Sequence, residues 1–131
     1  MIGNRPIDLH VRALEALGAE VQLSGGIVKV NGNNISGNSV FIGGRHGSTV
    51  TGTANAVMLA VLTPGYTILE GSACEPEITD LCHMLQSMGA NIQGIGSHLL
   101  KIEGVEKLNG CKPRVIPDQI EAGTDVLAGA I

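Results

Sequence analysis

Apolar side chains recur along this chain with two periods, one helical and one alternating. Over residues 6–17 they follow helical spacing and are succeeded by Gly18, a pattern that predicts an α-helix with a glycine stop. Segments 20–23 and 27–30 alternate in polarity on either side of a Ser-Gly-Gly turn, which predicts a β-hairpin. The chain therefore opens with a helix and two strands.

A second copy of this helix and hairpin lies 71 residues further along, where residues 88–93 match residues 17–22. With one inserted residue, residues 100–104 then match residues 28–32. Such a period is too long for a solenoid repeat and is typical of a duplicated supersecondary unit. We therefore expect the chain to contain about two copies of one unit.

Between and after these copies, the pattern predicts the remaining elements. Strands are expected at 39–42 and 66–70, helices at 51–62 and 75–88, a second hairpin at 91–94 and 99–102, a strand at 114–116 and a helix from 117 onward. The chain thus divides into the second half of one unit (1–35), a complete βαβαββ unit (36–106) and the first half of the next (107–131). We expect an α/β fold of repeated βαβαββ units, in a fragment of a longer protein.

Composition limits both the core and the partners. The 131 residues suit one domain, and they include one Phe, one Tyr and no Trp, so the core must be built from aliphatic side chains and alanine. The formal net charge is −4 and the basic residues are dispersed, which argues against nucleic acid. No apolar run approaches the roughly 20 residues of a membrane span and no signal peptide is recognisable, so we expect a cytoplasmic protein without membrane binding.

The spacing of cysteine and histidine gives neither a metal site nor a disulfide framework. Cys74, Cys82 and Cys111 are an odd number without paired spacing, and we expect them to be buried reduced thiols. His83 and His98 have no acidic or thiol partner at ligand spacing, which favours ordinary side chains over metal ligands. No cofactor is expected.

Three segments of the sequence resemble one enzyme family, in the same order and at matching spacing. They are residues 2–10 (IGNRPIDLH), residues 73–78 (ACEPEI) and residues 114–124 (RVIPDQIEAGT), and residues 14–32 are similar as well. The family is that of the UDP-N-acetylglucosamine enolpyruvyl transferases, which catalyse the first committed step of bacterial peptidoglycan synthesis. The related shikimate 3-phosphate enzymes lack the first and third segments as they stand here, and we rank them lower.

The resemblance implies a fold and a reaction. The family fold has two domains, each an inverse α/β barrel of three βαβαββ units, and this chain would supply about two units of one barrel. The family transfers enolpyruvyl from phosphoenolpyruvate to the 3′-hydroxyl of UDP-N-acetylglucosamine and releases phosphate. Its acid is a cysteine on a loop directly before Ile2, which this chain lacks. We therefore assign no catalytic residue here and expect the isolated chain to be inactive.

The candidate substrate-binding segment is Arg5, Pro6, Ile7, Asp8 and Leu9, which matches the family's uridine-contacting segment residue by residue. Pro6 stiffens a backbone whose amides and carbonyls can read uracil, and Arg5 can offer a guanidinium to ligand oxygens. The residues alone also allow a structural reading, in which Arg5 is a solvated charge and Asp8 complements the helix N-terminus.

A second candidate segment is Gly47, Ser48, Thr49 and Val50, which resembles the family's diphosphate-contacting segment. Glycine-rich backbone and hydroxyl groups before a helix can cradle phosphate. The family's lysine is absent, because Gly47 aligns with its position. Arg45 or His46 could supply the charge instead, and a purely structural loop is equally consistent with the residues.

Asp118 matches a family aspartate that lines the catalytic cleft, and it also stands where a helix-capping residue is expected, three residues before Glu121. Gln119 departs from the arginine that is common at the next position. Both roles for Asp118 are compatible, and we keep both.

Two other classes of function are consistent with the sequence. An incomplete barrel would expose apolar surface, which predicts a non-catalytic scaffold that self-associates. The βαβαββ unit also occurs in RNA-handling proteins such as RNA 3′-phosphate cyclases, but the acidic balance and the scarcity of stacking aromatics argue against that function.

Overall fold

The structure is a computed structural model that describes residues 6–45 and 47–131. Its elements in chain order are α1 (Asp8–Ala16), β1 (Glu20–Ser24), β2 (Ile27–Asn31), β3 (Ser39–Phe41), α2 (Val50–Ala60), β4 (Tyr66–Glu70), α3 (Pro76–Ser87), β5 (Asn91–Gln93), β6 (Leu99–Glu103) and α4 (Gln119–Gly129). The elements from β3 to β6 follow the predicted βαβαββ order, and the mixed α/β class is confirmed.

A four-stranded sheet in the order β3-β4-β6-β5 organises the chain. Strands β3 and β4 are parallel because helix α2 returns the chain across the sheet, whereas β6 runs antiparallel to both β4 and β5. Burial alternates along β4 and β6, so that Leu69, Leu100 and Ile102 point into the core while their neighbours are more exposed. One face of the sheet therefore forms one side of the hydrophobic core.

The core is aliphatic, as the composition predicts. Helix α2 contributes Ala56, Val57 and Ala60 to it, and α3 contributes Ile78 and Leu85. Phe41 and Tyr66, the aromatic side chains of the sequence, are instead 58% and 69% exposed. Alanine on α2 lets the helix lie close to the sheet, which is how a core without large rings reaches a dense packing.

Tyr66 belongs to the solvent-facing side of the sheet. It stands opposite Glu103 in the pairing of β4 with β6, and its hydroxyl donates a hydrogen bond of 2.8 Å to Glu103 Oε1. This hydrogen bond and the carboxylate charge raise the pKa of Tyr66 above its ordinary value of 10.0. The pair fastens the exposed end of the β4–β6 ladder.

Helix α1 packs against α2, with Ala13 and Leu17 buried. The residue after its C-cap is Gly18, whose φ of +91° is a left-handed conformation that favours glycine. The β1–β2 hairpin that follows is a separate two-stranded sheet, as predicted, and most of its side chains are exposed. The opening helix and hairpin are thus attached to the main unit chiefly through α1.

The strand predicted at 114–116 is wrong, because these residues form no regular structure. A strand requires a pairing partner, and the described part of the chain offers none to Val115, which is 75% exposed. Helix α4 does form, but all of its residues are exposed. Among the described residues, the side-chain amide of Gln119 links α4 to the rest of the structure by donating to both carboxylate oxygens of Glu77 at 2.9 and 3.2 Å.

None of the described helices combines the length and hydropathy needed to span a membrane.

Candidate functional site

Both sequence-predicted binding segments reach the same cleft, although they lie about 40 residues apart in the chain. The first segment begins α1 and the second leads into α2, so the cleft lies where two packed helices start. Its volume is about 580 Å³, and its lining residues are Pro6, Asp8, Leu9, His10, Gly44, Arg45, Gly47, Ser48, Thr49 and Val50. Packing of α1 on α2 is therefore what assembles the site.

Not every predicted residue of the first segment faces this cleft. Pro6, Asp8 and Leu9 line it, whereas Ile7 lines a neighbouring groove between α1 and the hairpin. Arg5 lies outside the described residues. Ile7 occupies the N-cap position of α1 and provides no side-chain cap, so the first-turn amides keep their capacity to donate. The exposed carboxylate of Asp8 complements the positive end of the helix.

The turn before the second segment is held by two backbone hydrogen bonds between Gly44 and Gly47, with N–O distances of 2.7 and 3.1 Å. Gly47 has a φ of +103°, which a side chain would strain. A Cβ atom on Gly44 would come within 2.9 Å of Leu9 Cδ1. The two glycines therefore let the turn close tightly and approach α1, with Arg45 at the tip. His46 lies outside the described residues.

Thr49 starts α2. Its Oγ1 accepts a hydrogen bond from the backbone amide of Gly52 at 3.2 Å, which is a regular N-cap. Its carbonyl oxygen accepts from Thr53 Oγ1 at 2.7 Å. The Thr49 hydroxyl is thus used by the helix, while exposed Ser48 presents its hydroxyl at the cleft.

His10 lines the cleft, and the sequence analysis missed it. Its Nδ1 lies 2.9 Å from Asn55 Nδ2 and its Nε2 lies 3.3 Å from Thr51 Oγ1. An amide nitrogen only donates, so Nδ1 is the acceptor and Nε2 carries the proton. The imidazole therefore ties α1 to α2 at the wall of the cleft. The repeat contains a signal for this pair. At the 71-residue offset, the polar residues His10 and Asn55 align with the apolar residues Leu81 and Val126, so both positions depart from the second copy.

Asp118 is not brought to this cleft. Its Oδ1 accepts hydrogen bonds from the backbone amides of Ile120 at 2.8 Å and Glu121 at 3.3 Å, so the predicted capping role is confirmed. It lines a separate shallow depression with Glu77 and Asp80. The structure thus places Asp118, which the resemblance assigns to the lining of the catalytic cleft, apart from the two candidate binding segments.

The cysteines differ in environment more than the sequence predicts. Cys82 is buried, and burial raises its pKa to about 11. Cys74 and Cys111 are only half-buried, so the expectation of three buried thiols is wrong for these two. His98 also has a thiol neighbour after all, because its Nδ1 lies 3.3 Å from Cys74 Sγ. The two residues are 24 positions apart in the chain and are brought together by their loops. The spacing of residues in the sequence therefore does not reveal this contact.

Comparison with solved structures identifies the class of fold. The enolpyruvyl transferase NikO from Streptomyces tendae matches 98% of this chain with a TM-score of 0.81, at 22% sequence identity and over 32% of its own length. This likeness establishes an enolpyruvyl transferase fold. The sequence model of the EPSP synthase (3-phosphoshikimate 1-carboxyvinyltransferase) family matches residues 1–131, and the chain belongs to this family.

Similar curated sequences narrow the resemblance within the family. The UDP-N-acetylglucosamine 1-carboxyvinyltransferases of Akkermansia muciniphila and Methylacidiphilum infernorum are 52% and 50% identical to this chain. Each match covers 100% of this chain and 31% of the relative. The predicted resemblance to this group is confirmed, and the chain spans about a third of the length of these relatives.

Proposed function

We propose that this chain supplies part of the nucleotide-sugar site of an enzyme that transfers enolpyruvyl from phosphoenolpyruvate to the 3′-hydroxyl of UDP-N-acetylglucosamine. The observation that carries the proposal is the convergence of the first-turn residues of α1 and residues 47–50 on one cleft. These are the segments that the resemblance links to the uridine and the diphosphate. A cytoplasmic role in the first committed step of peptidoglycan synthesis follows from the same resemblance.

The cleft has the size and chemistry for an anionic nucleotide sugar. Its volume of about 580 Å³ lies within the roughly 300–1,000 Å³ typical of small-molecule sites. The uncapped first turn of α1 offers backbone amides, and the turn closed by Gly44 and Gly47 carries the Arg45 guanidinium. Helix N-termini and a guanidinium are suitable partners for phosphate oxygens. Arg45 would thus replace the family's lysine.

The described lining of the cleft does not include a complete set of catalytic groups. Enolpyruvyl transfer needs cations on the phosphate and carboxylate of phosphoenolpyruvate, a base for the hydroxyl and an acid for the methylene carbon. In the described lining, Arg45 is the one side-chain cation of the Lys/Arg type, and both nitrogens of His10 are engaged by α2. We therefore expect this chain to bind the nucleotide sugar without turning it over.

The test is titration of the 131-residue chain with UDP-N-acetylglucosamine, followed by backbone amide chemical shifts. We expect saturable shifts at residues 6–10 and 44–50, and binding about five- to tenfold weaker for Arg45→Gln, because a charge-assisted hydrogen bond to phosphate is lost. Arg114→Gln is the matched control, since Arg114 is exposed and lies outside the cleft. A folded sample without shifts at the cleft, or equal weakening by both variants, would overturn the proposal.

A second candidate function has its own supporting observation. The β1–β2 hairpin presents exposed apolar side chains, among them Leu23 at 61% and Val30 at 50% exposure. Such a face is suited to a non-catalytic scaffold that associates with other copies of the chain.

For the parent domain we infer an inverse barrel closed from repeated βαβαββ units. This chain would contain about two of these units.

A further inference from the structure

The loop that leads from β4 into α3 meets the loop between β5 and β6 at a thiol–imidazole pair. Cys74 Sγ lies 3.3 Å from His98 Nδ1, and the same nitrogen lies 2.7 Å from the carbonyl oxygen of Ser72. The backbone amide of Ser72 donates to the carbonyl oxygen of His98 at 3.1 Å, which ties the two loops together. The pair is distinct from the candidate cleft, whose lining includes neither residue.

The hydrogen bonds fix where the imidazole proton lies. A carbonyl oxygen only accepts, so Nδ1 of His98 carries a proton and donates it towards Ser72. The Cys74 thiol lies 3.8 Å from the same carbonyl oxygen, to which it can donate. The His98 N–H also lies within reach of the sulfur, which accepts such a bond more strongly as a thiolate than as a thiol. His98 is exposed, so its ring is accessible to solvent. The imidazole is therefore placed to stabilise the reactive form of the sulfur.

The position of Cys74 in the fold supports the same conclusion. It immediately precedes Glu75, the N-cap residue of the 12-residue helix α3, and Glu75 makes no side-chain cap. A helix N-terminus favours a thiolate, although the neighbouring Glu75 carboxylate partly opposes this effect. Cys74 is half-buried rather than enclosed, so a small reagent can reach it.

We propose that Cys74 is a modification site for small soft electrophiles, peroxides in particular, and that His98 is its positioning residue. In the peroxide step the Cys74 sulfur attacks one peroxide oxygen, an S–O bond forms and the O–O bond breaks. The sulfur is oxidised by two electrons to a sulfenic acid, and hydrogen peroxide is reduced to water as its leaving oxygen takes up the proton that the thiol has released.

The other cysteines provide controls within the same chain. Cys111 is half-buried like Cys74, but no side-chain hydrogen bond to it is present among the described residues. Cys82 is fully buried, and it reports on unfolding because it becomes reactive only when the core opens. Relative rates at the three sites therefore separate specific activation of Cys74 from simple exposure and from loss of structure.

The experiment treats the folded chain with iodoacetamide and, separately, with hydrogen peroxide plus dimedone, and maps the products by mass spectrometry. We expect Cys74 to react about tenfold faster than Cys111 in both reactions, and Cys82 to stay unmodified. His98→Ala should remove most of this advantage, and added imidazole should restore part of it. His83→Ala is the control, because His83 contacts Gln86 instead of a thiol.

Two results would overturn the proposal: equal rates at Cys74 and Cys111 in the unsubstituted chain, or a Cys74 rate unaffected by His98→Ala. If Cys82 becomes reactive in that variant, the fold has been lost, and His98→Asn replaces it as the test. Asn retains an N–H donor for the Ser72 carbonyl but cannot carry a positive charge. A Cys74 rate in His98→Asn equal to that of the unsubstituted chain would count against the imidazole.

Discussion

Thr53 and Thr67 are both fully buried threonines, but their hydroxyl groups differ in hydrogen bonding. Thr53 Oγ1 donates to the carbonyl oxygen of Thr49 at 2.7 Å and accepts from the backbone amide of Ala73 at 3.0 Å. It therefore joins the start of α2, at the candidate cleft, to the loop after β4. Thr67 Oγ1 has no hydrogen-bond partner among the described residues.

Replacing each threonine by valine should change stability in different directions. Thr53→Val leaves the buried amide of Ala73 without a partner, and we expect a loss of about 1–3 kcal/mol in the free energy of unfolding. Thr67→Val removes an unpaired buried oxygen and should be neutral or stabilising. Urea unfolding followed by circular dichroism measures both variants under the same conditions. Equal losses for the two would contradict this assignment of the hydroxyl groups.

Side-chain contacts between residues distant in the chain were the feature least predictable from the sequence. The pairs His10–Asn55 and Cys74–His98 join positions 45 and 24 residues apart, and nothing local in the sequence encodes such contacts. The Asp118 cap, by contrast, was predicted because a capping residue bonds to amides only two and three positions further on. Local hydrogen bonds are readable from spacing, whereas distant ones depend on how loops place their side chains.

At the scale of elements, the end of β6 depends on a glycine. Gly104 donates its amide to the carbonyl oxygen of Gly65 at 3.0 Å, and Val105 donates to Val61 at 2.9 Å. A Cβ atom on Gly104 would overlap the carbonyl oxygen of Thr63, which is backbone and cannot rotate away. The close approach holds the strand end against the turn that follows α2.

Gly104→Ala should therefore destabilise the chain by about 1–3 kcal/mol, the usual cost of overpacking. Gly110→Ala is the matched control, since a Cβ atom there meets nothing within 4 Å. We expect this control to stay within about 0.5 kcal/mol of the unsubstituted chain. Thermal unfolding of both variants checks the difference, and similar melting temperatures would show that β6 tolerates displacement from Thr63.

The element predictions succeeded where a segment contains its own signal. The hairpins were predicted from alternating polarity around short turns, and α1 from helical spacing followed by Gly18. The segment 114–116 has the composition of a strand, but composition cannot supply a partner strand, and the structure gives it none. The two binding segments were proposed through the resemblance, and neither reveals from its residues alone that it faces the other.

At the scale of the whole molecule, the β1–β2 hairpin has the most exposed apolar face among the described strands. Pairing sets Val21 opposite Val30 and Leu23 opposite Val28, so these four side chains share one face. A groove of about 860 Å³ between this hairpin and α1 extends the surface, and Leu23 and Val11 both line it. The face is therefore continuous with the groove beside the candidate cleft.

We expect the chain to self-associate through this face in a concentration-dependent manner. The double variant Leu23→Thr with Val28→Thr places a β-branched residue at both strand positions while removing apolar surface, and it should shift the chain towards monomer. Gln22→Thr with Lys29→Thr is the control, because these two residues pair on the opposite face. Sedimentation velocity over a range of concentrations distinguishes them. A monomeric unsubstituted chain, or equal behaviour of both double variants, would contradict the expectation.

The pairing of Tyr66 with Glu103 makes this tyrosine an intrinsic spectroscopic probe of the sheet. Because the sequence has one tyrosine and no tryptophan, near-ultraviolet light reports on this phenol and therefore on the joining of β4 to β6. The folded phenol ionises at a higher pH than the unfolded one, since Glu103 disfavours its anion. The associated stability is complete below the unfolded pKa and is lost as pH rises through the folded pKa. An alkaline titration monitored by tyrosinate absorbance thus follows the loss of the Tyr66–Glu103 hydrogen bond without any added dye.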